Sequence, residues 1–398
     1  MNKLNLIALG IAATMLISCA STKTESKQET VKETSSTKTE VSTEGKIMYA
    51  DKSNVKIIGR TATKNNALWL TQSASGIEFK VTASSLSIQL TGDVTARPSR
   101  STTPTNYARY TIYVDEVETV TGTMDKQKKE EIVFSGDKPR TATIRLLKIT
   151  ESGQSLMAIK SITTDEKGTI APTAEKSLKI EFIGDSITCG YGVEAKGPSE
   201  PFTTEKQNAT KTYAFLTAQA LDADWSFDSF SGFGIISGYT GDGQINTQAL
   251  LPPVYEKVCF SWGNNAFNST AWDFSFTPNV VVINLGTNDA SYTKGDEEKC
   301  AAYVKGYIDF LKTIRKDNPK AHIICSLGIM GDELYTYVEQ VVADYTKETG
   351  DKNISAFHFP PQNASVDGLG SDSHPSSATH VKEGALLTEY IRSLNLSK

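Results

Sequence analysis

The residues with the clearest capacity for chemistry begin with Gly184-Asp185-Ser186, which follows the mainly apolar run 180–183 and precedes further glycines. This pattern predicts a buried strand that ends in a tight turn. At the carboxyl end of a parallel strand, the Ser186 hydroxyl would project from the turn, and the backbone N–H of Ser186 or Ile187 could point at a developing oxyanion. The alternative is a serine that only caps the next helix.

Two further segments are expected at the same edge of the sheet. The apolar run 279–285 ends in Gly286-Thr287-Asn288-Asp289, and the side-chain amide of Asn288 could donate to an oxyanion. The run 225–229 leads to Gly232, whose backbone N–H could approach a substrate. Taken singly, each segment also fits an ordinary turn.

A general base must come from the four histidines of the chain. His322 and His358 lie in predicted strands, and His380 lies in or near the last helix. His374 instead follows Asp372 and precedes Pro375 on a loop that enters that helix. A carboxylate can hold an imidazole in one tautomer and proline stiffens the backbone, so His374 is the candidate base and Asp372 its candidate partner.

The elements that position these residues belong to the second half of the chain, residues 171–398. Apolar strand patterns alternate there with helical patterns, which predicts an α/β domain with a parallel sheet covered on both faces. The predicted strands are 178–183, 225–229, 280–285, 322–327 and 354–359, and the predicted helices are 211–221, 296–316, 332–349 and 376–394.

Residues 47–170 show a different pattern, of short stretches in which apolar and polar residues alternate. Seven such stretches with polar turns predict a β-sandwich or jelly roll. The predicted strands are 55–60, 67–70, 77–81, 86–90, 109–115, 131–134 and 141–149.

The N-terminal 46 residues are expected to target and tether the chain. One lysine, an apolar run over 4–17 and then Ser18-Cys19 predict a secretory signal over residues 1–19. The segment 16–19 resembles a bacterial lipobox, in which Cys19 carries the lipid, although an ordinary signal peptide with an incidental cysteine is the alternative. Residues 20–46 are rich in Ser, Thr, Lys and Glu, which predicts a flexible linker. An outer-membrane or cell-surface lipoprotein is therefore expected.

The charge and the cysteine content of the chain limit the classes of partner and metal site that it could have. The formal net charge is −5 and the pI is about 5.6, which argues against a nucleic-acid binder. The cysteines beyond Cys19 are Cys189, Cys259, Cys300 and Cys325. None forms a CxxC pair, so a structural zinc site is not expected. Whether they form disulfides in an exported chain stays open.

In chain order, the segments around Ser186, Gly232, Asn288 and His374 resemble the four blocks of the SGNH (GDSL-like) hydrolases. The resemblance implies that Ser186 is the nucleophile and His374 the base. It also implies an oxyanion hole made of the Ser186 and Gly232 N–H groups and the Asn288 amide, and no metal or organic cofactor. In most SGNH enzymes the aspartate stands three residues before the histidine, where this chain has Ser371.

Within these hydrolases, the chain resembles carbohydrate esterase family 2. The resemblance is carried by Trp69 and by the segments 58–60, 113–115, 183–192 and 272–274. It implies a jelly roll joined to an SGNH-type α/β/α sandwich that removes acetyl groups from polysaccharides such as xylan and glucomannan. In that family, Asp372 at its offset can orient the histidine, or a backbone carbonyl can take its place.

Two other functions stay open at this point. The same site could serve a lipid esterase, a thioesterase or an envelope O-acetyl esterase, because pocket size cannot be read from sequence. The chain could also be a non-catalytic carbohydrate-binding lipoprotein that works through its jelly roll. Ser186, Asn288 and His374 argue against a pure binder, which has no need of a base beside a nucleophile.

Overall fold

A computed structural model describes residues 45–97, 106–262 and 265–396 of the chain. The predicted signal segment, with Cys19, and most of the predicted linker lie outside the described residues. The described part opens with strand β1 (Lys46–Met48), which begins at the last residue assigned to the linker. Within these ranges, no helix is both long enough and apolar enough to cross a membrane.

The first half of the described chain is rich in β structure, as predicted. Besides β1, its strands are β2 (Lys56–Ile58), β3 (Thr61–Lys64), β4 (Ala67–Leu70), β5 (Gly76–Gly92), β6 (Arg109–Val114), β7 (Val117–Thr123), β8 (Lys128–Lys148), β9 (Met157–Thr164) and β10 (Thr169–Pro172). They pair antiparallel in the order β3-β4-β9-β5-β8-β6-β7, with β1 beside β9 and with β2 and β10 beside β5. Buried Phe79 and Val81 alternate with exposed Lys80 and Thr82, so the predicted period of two is present in β5.

Two long strands replace four predicted short ones. The predicted strands 77–81 and 86–90 both lie in β5, and 131–134 and 141–149 both lie in β8. The two strands pair along most of their length, from Gly76 opposite Leu147 to Thr91 opposite Lys128. Register shifts between Ala83 and Ser85 and between Leu86 and Ser87 mark the polar residues that suggested a turn. A bulge bends a strand without ending it, which explains the difference.

The second half forms an α/β domain with a parallel sheet, which confirms that prediction. Its strands are β11 (Lys179–Gly184), β12 (Asp224–Ser229), β13 (Val280–Asn284), β14 (His322–Ile329) and β15 (Ile354–Pro361), in the order β12-β11-β13-β14-β15. Its helices are α1 (Ser186–Cys189), α2 (Tyr213–Ala220), α3 (Thr287–Thr293), α4 (Glu297–Asp317), α5 (Tyr335–Thr349), α6 (Ala364–Asp367) and α7 (Ser377–Ser393).

Helices cover both faces of this sheet. Val281 and Ile283 of β13 share a core with apolar residues of α4 and α5. Val280 and Val282 share the opposite core with residues of α2 and α7. A strand buried on both sides must be apolar at every position, which is why 280–283 reads as a continuous Val-Val-Val-Ile run.

The register of three neighbouring strands places three candidate site segments at one edge. Gly184 at the end of β11 is level with Ser229 of β12 and Asn284 of β13. The segments that follow these strands therefore emerge side by side at the carboxyl edge of the sheet. The four cysteines predicted to lie in the folded part are all buried free thiols.

Candidate active site

The turn after β11 leaves the hydroxyl of the buried Ser186 free of any capping role, because Asp185 caps the next helix. The Asp185 carboxylate accepts the backbone N–H of Ile187 at 3.0 Å, and Ser186 is the first residue of α1. A Cβ on Gly184 would lie 2.1 Å from the hydroxyl oxygen of Thr188, so the turn requires glycine there. The Ser186 hydroxyl is thus available for another partner, and its N–H is among those that a helix start leaves without an intrahelical acceptor.

That partner is His374. Its Nε2 lies 2.9 Å from Ser186 Oγ, and its Nδ1 lies 3.1 Å from the carbonyl oxygen of Ser371. A carbonyl can only accept, so Nδ1 carries the proton and Nε2 is free to accept the serine hydroxyl. Burial lowers the pKa of His374 to about 4, against the opposing effects of the Ser371 carbonyl and the Asp372 charge. The imidazole is therefore neutral near pH 7, as a general base must be.

The segment 369–375, here called the base loop, is held mainly through its backbone. The Gly370 N–H donates to the His374 carbonyl at 2.7 Å, and the His374 N–H donates to the Ser371 carbonyl at 3.0 Å. Asp372 and Ser373 both adopt positive φ, at 51° and 64°. Left-handed backbone costs a non-glycine residue roughly 1–2 kcal/mol, so the surrounding bonds must hold this turn.

Gly192 connects the base loop to the turn that carries Ser186. The Ser371 N–H donates to the Gly192 carbonyl at 3.2 Å. A Cβ on Gly192 would lie 2.5 Å from the Ser371 Cβ, and the φ of Gly192 is +64°. This close approach fixes the Ser371 carbonyl that faces His374.

Asp372, the predicted carboxylate partner of His374, makes a different contact. Its carboxylate accepts the hydroxyl of Tyr191 at 2.8 Å. The Tyr191 ring stacks on the His374 imidazole with centroids 4.1 Å apart, and its other neighbour is Phe202 at 3.8 Å. Of the two alternatives left by the sequence, the structure thus has a backbone carbonyl at Nδ1, while Asp372 braces the aromatic ring that covers the base.

Asn288, a predicted oxyanion donor, is buried at the start of α3. Its amide nitrogen donates to the Phe233 carbonyl at 2.8 Å and to the Asp185 carboxylate at 3.2 Å. Burial raises the pKa of Asp185 to about 7.

Gly232 lies in the segment 230–237, here called the oxyanion loop, which follows β12. Its φ is +82°, and no atom lies within 4 Å of the position of an added Cβ. Its carbonyl accepts the Tyr239 N–H at 2.9 Å. Within the described ranges its own N–H has no hydrogen-bond acceptor.

Asp289 was expected from the sequence only as part of a turn, whereas in the structure it accepts several hydrogen bonds from another loop. Its carboxylate accepts the N–H groups of Ile235, Ile236 and Ser237 at 2.8–3.1 Å. Burial raises the pKa of Asp289 to about 6, although these three N–H groups favour the carboxylate. The position of Asp289 next to Asn288 could have marked it as a candidate site residue. The N–H groups that it accepts lie on another loop and could not be predicted from the sequence.

The remaining histidines do not contact Ser186. His322 contacts the Ser355 hydroxyl at 2.9 Å, and His358 contacts the Asp332 carboxylate at 2.9 Å. The Nδ1 of His380 accepts the Tyr213 N–H at 3.1 Å in a fully buried site. The structure therefore brings one histidine of the four to the serine.

Two family profiles match the chain. The GDSL-like Lipase/Acylhydrolase family matches residues 182–382, and the Carbohydrate esterase 2 N-terminal family matches residues 57–173. The first match contains Ser186, Gly232, Asn288 and His374, and the second covers most of the β domain.

Curated relatives agree with these matches. The chain is 37% identical over 220 residues to the Cellulase/esterase CelE of Acetivibrio thermocellus, which covers 54% of this chain and 25% of the relative. It is 30% identical over 251 residues to an Acetylxylan esterase / glucomannan deacetylase of Cellvibrio japonicus, which covers 60% of this chain and 66% of the relative. The chain thus spans a quarter of the first relative and about two thirds of the second.

Solved structures resemble the chain over most of its length. An acetyl xylan esterase from the rumen bacterium Butyrivibrio proteoclasticus has a TM-score of 0.77 at 25% identity, over 88% of this chain and 98% of that one. A family two carbohydrate esterase from Clostridium thermocellum, in complex with cellohexaose, has a TM-score of 0.73 at 28% identity, over 85% of this chain and 98% of that one.

Proposed function

Because the chain belongs to the GDSL-like lipase/acylhydrolase family, we propose that it is a serine esterase that removes O-acetyl groups from polysaccharides such as xylan or glucomannan. The observation that carries the proposal is the contact of Ser186 Oγ with Nε2 of a half-buried, neutral His374 at 2.9 Å. Two of the relatives named above are described as an acetylxylan esterase / glucomannan deacetylase and as an acetyl xylan esterase, which supports the choice of substrate.

The proposed reaction is acyl transfer. His374 Nε2 takes the proton of Ser186 as Oγ attacks the acetyl carbonyl carbon, and the carbonyl oxygen becomes an oxyanion. The Ser186 and Gly232 N–H groups and the Asn288 amide stabilise that charge. The C–O bond to the sugar then breaks, and the sugar oxygen takes the proton from Nε2. Water, deprotonated by His374, then attacks the acetyl carbon of the acetyl-enzyme, the bond to Ser186 Oγ breaks, and Oγ takes the proton back from Nε2 as acetate leaves. No cofactor is required.

Exposed aromatic side chains beside the oxyanion loop support a sugar substrate. Trp262 is 55% exposed and packs edge-on against Phe233. Tyr239, which is 64% exposed, donates its N–H to Gly232. Tyr and Trp are enriched at binding surfaces, because their rings combine an apolar body with a polar edge. We propose in addition that the β domain is a jelly roll, since β5 pairs with β2 and β10 in its first half and with β9 in its second half.

The experiment is to assay the purified chain on p-nitrophenyl acetate and p-nitrophenyl octanoate, and to measure acetate released from acetylated xylan and glucomannan. We expect acetyl-ester and polysaccharide hydrolysis, with Ser186→Ala inactive on both. A preference for the octanoyl ester would move the substrate to lipids. Full activity in Ser186→Ala would overturn the assignment of the nucleophile.

We propose further that the chain is exported and lipidated at Cys19, on the basis of the lipobox-like segment 16–19. In a bacterial host, Cys19→Ala should abolish incorporation of radiolabelled palmitate and move the protein from the membrane fraction to the soluble one. Unchanged membrane association in Cys19→Ala would contradict the anchor.

A further inference from the structure

We propose that Glu151, a carboxylate of the β domain, is a positioning residue for the oxyanion loop, so that the hydrolytic site is assembled across both domains. This inference rests on the proposed function, because it concerns the oxyanion hole of that site. It assigns a part in the reaction to the β domain, which otherwise contributes no residue to the site described above.

Glu151 lies just beyond the end of β8 and is almost fully buried, with 1% of its surface exposed. One carboxylate oxygen accepts the backbone N–H of Ser231 at 2.8 Å. The other accepts the Ser231 hydroxyl at 2.6 Å and the side-chain amide of Gln207 at 3.0 Å. The Glu151 N–H in turn donates to the Gln207 oxygen at 3.2 Å, so the carboxylate has one fixed orientation.

These bonds act on the residue directly before Gly232. The peptide plane between Ser231 and Gly232 contains the Gly232 N–H, so a rotation of Ser231 turns that donor away from the substrate. Gly232 itself has no side chain that could resist such a rotation, and the space beside it is empty. The loop is therefore fixed from its flanks: by Glu151 before Gly232, and by Asp289 after it.

The ionised form of Glu151 is the one that suits this position. All its contacts are donors, and an ionised carboxylate only accepts. A buried charge needs a compensating group nearby. For the Glu151 carboxylate, that group is the ammonium of Lys148, three residues earlier in the chain. Lys148 is fully buried and donates to the Thr150 carbonyl. Burial lowers the pKa of Lys148 to about 8, with the Glu151 charge acting in the opposite direction.

Neighbouring residues of the same segment also contact the α/β domain. The Ser152 hydroxyl donates to the Phe260 carbonyl at 2.9 Å, and the Gly153 carbonyl accepts the Trp262 N–H at 3.2 Å. The segment 151–153 therefore supports the oxyanion loop and the neighbouring loop that carries Trp262.

A matched control exists at the opposite edge of the parallel sheet. Glu78 is also a buried carboxylate of the β domain, and it pairs with Arg145 at 2.6 Å and with Lys56 at 3.1 Å. Lys56 in turn pairs at 2.9 Å with Asp224, which begins β12, whereas the catalytic edge lies where β12 ends. Removing this charge perturbs the domain interface without touching the oxyanion loop.

The test measures kcat and KM for p-nitrophenyl acetate in the full chain with Glu151→Gln, Ser231→Ala and Glu78→Gln, beside wild type and Ser186→Ala. A misplaced oxyanion donor affects the transition state more than substrate binding, and complete loss of one donor costs about 10²–10³ in kcat. We expect Glu151→Gln to lower kcat about 10–100-fold with KM within about threefold, because it displaces a donor without deleting it. Ser231→Ala, which keeps the backbone bond, should lower kcat by a smaller factor.

The control separates positioning from general loss of stability. Glu78→Gln should lower the thermal unfolding midpoint yet leave kcat within about twofold of wild type. Equal losses of kcat in Glu78→Gln and Glu151→Gln, or a Glu151→Gln kcat within twofold of wild type, would overturn the inference. If Glu151→Gln does not fold, unchanged kcat in Ser231→Ala would overturn it instead. Wild type as inactive as Ser186→Ala would refute the proposed function itself.

Discussion

The two loops that face Ser186 are held in different ways. The base loop is fixed by backbone hydrogen bonds and by the close approach of Gly192 to Ser371. The oxyanion loop is fixed by two buried carboxylates, Glu151 and Asp289, which accept its N–H groups from outside the loop. A loop held by backbone should tolerate changes in its side chains. A loop held by distant carboxylates should respond to single substitutions far from the serine.

The largest expected effect concerns the residue on which both loops converge. Ser186→Ala removes the nucleophile, and in serine hydrolases such a loss lowers kcat by about 10⁴–10⁶. His374→Ala should cause a loss of the same order, because the two residues act as one unit. The measurement is kcat on p-nitrophenyl acetate, with the far-ultraviolet circular dichroism spectrum as control. Losses that multiply in the double variant would contradict a shared role.

Asn288→Ala gives the next largest expected effect and probes the oxyanion side alone. It deletes one donor to the oxyanion, which should lower kcat about 10²–10³-fold with little change in KM. Because the Phe233 carbonyl and the Asp185 carboxylate also lose a donor, the variant should unfold at a lower temperature. Wild-type kcat in a folded Asn288→Ala would remove Asn288 from the oxyanion hole.

Asp289→Asn tests whether a carboxylate is needed to hold the oxyanion loop from its second flank. Three N–H groups point at this carboxylate, and an amide would turn its own N–H groups toward some of them. We expect kcat to fall about 10-fold or more while Ser186 and His374 stay in contact. The rate at which a small organophosphate that lacks a sugar phosphorylates Ser186, with loss of its leaving group, should fall with it. A loss confined to KM would instead place Asp289 in substrate binding.

The contrast between the loops also reflects what sequence can disclose. Ser186, Asn288 and the strands before them were predictable because apolar runs mark buried parallel strands, whose carboxyl ends lie at one edge. His374 was predictable from its place between a carboxylate and a proline. These predictions depend on patterns of neighbouring residues. The hydrogen bonds within the base loop also join residues that are close in the sequence.

Two features were not predictable because they depend on contacts or dihedral angles that no local pattern encodes. Glu151 acts on Ser231, 80 residues later in the chain and in another domain. The carbonyl of Ser371 faces His374 only because Asp372 and Ser373 adopt left-handed backbone, which their residue types do not require. The continuity of β5 through Ala83–Ser85 was missed for a similar reason, since a bulge and a turn share the same residues.

The pH dependence distinguishes the two loops without a substitution. His374 works as a base only when neutral, and burial lowers its pKa to about 4. Protonation of His374 should therefore leave activity intact through pH 6.5, the ordinary histidine value, and abolish it only below about pH 4.5. The measurement is kcat/KM on p-nitrophenyl acetate between pH 4 and 8. A fall centred between pH 6 and 7 would instead indicate Asp289 or Asp185, whose pKa values burial raises to about 6 and about 7.

The smallest expected effect on kcat is that of Asp372→Asn. This variant tests most directly whether the base loop, unlike the oxyanion loop, is independent of a carboxylate. The Ser371 carbonyl already accepts the Nδ1–H of His374. An amide at position 372 should therefore lower kcat at pH 7 by less than about threefold. By contrast, loss of the orienting carboxylate in a Ser-His-Asp triad lowers kcat by about 10⁴. The Asp372 charge raises the pKa of His374 against the effect of burial, so its removal should shift the acid limb to lower pH. Tyr191→Phe, which removes the hydroxyl bound to Asp372 and keeps the stacked ring, should behave alike at pH 7. A loss above 10²-fold in Asp372→Asn alone would mean that the base loop depends on a carboxylate, as the oxyanion loop does.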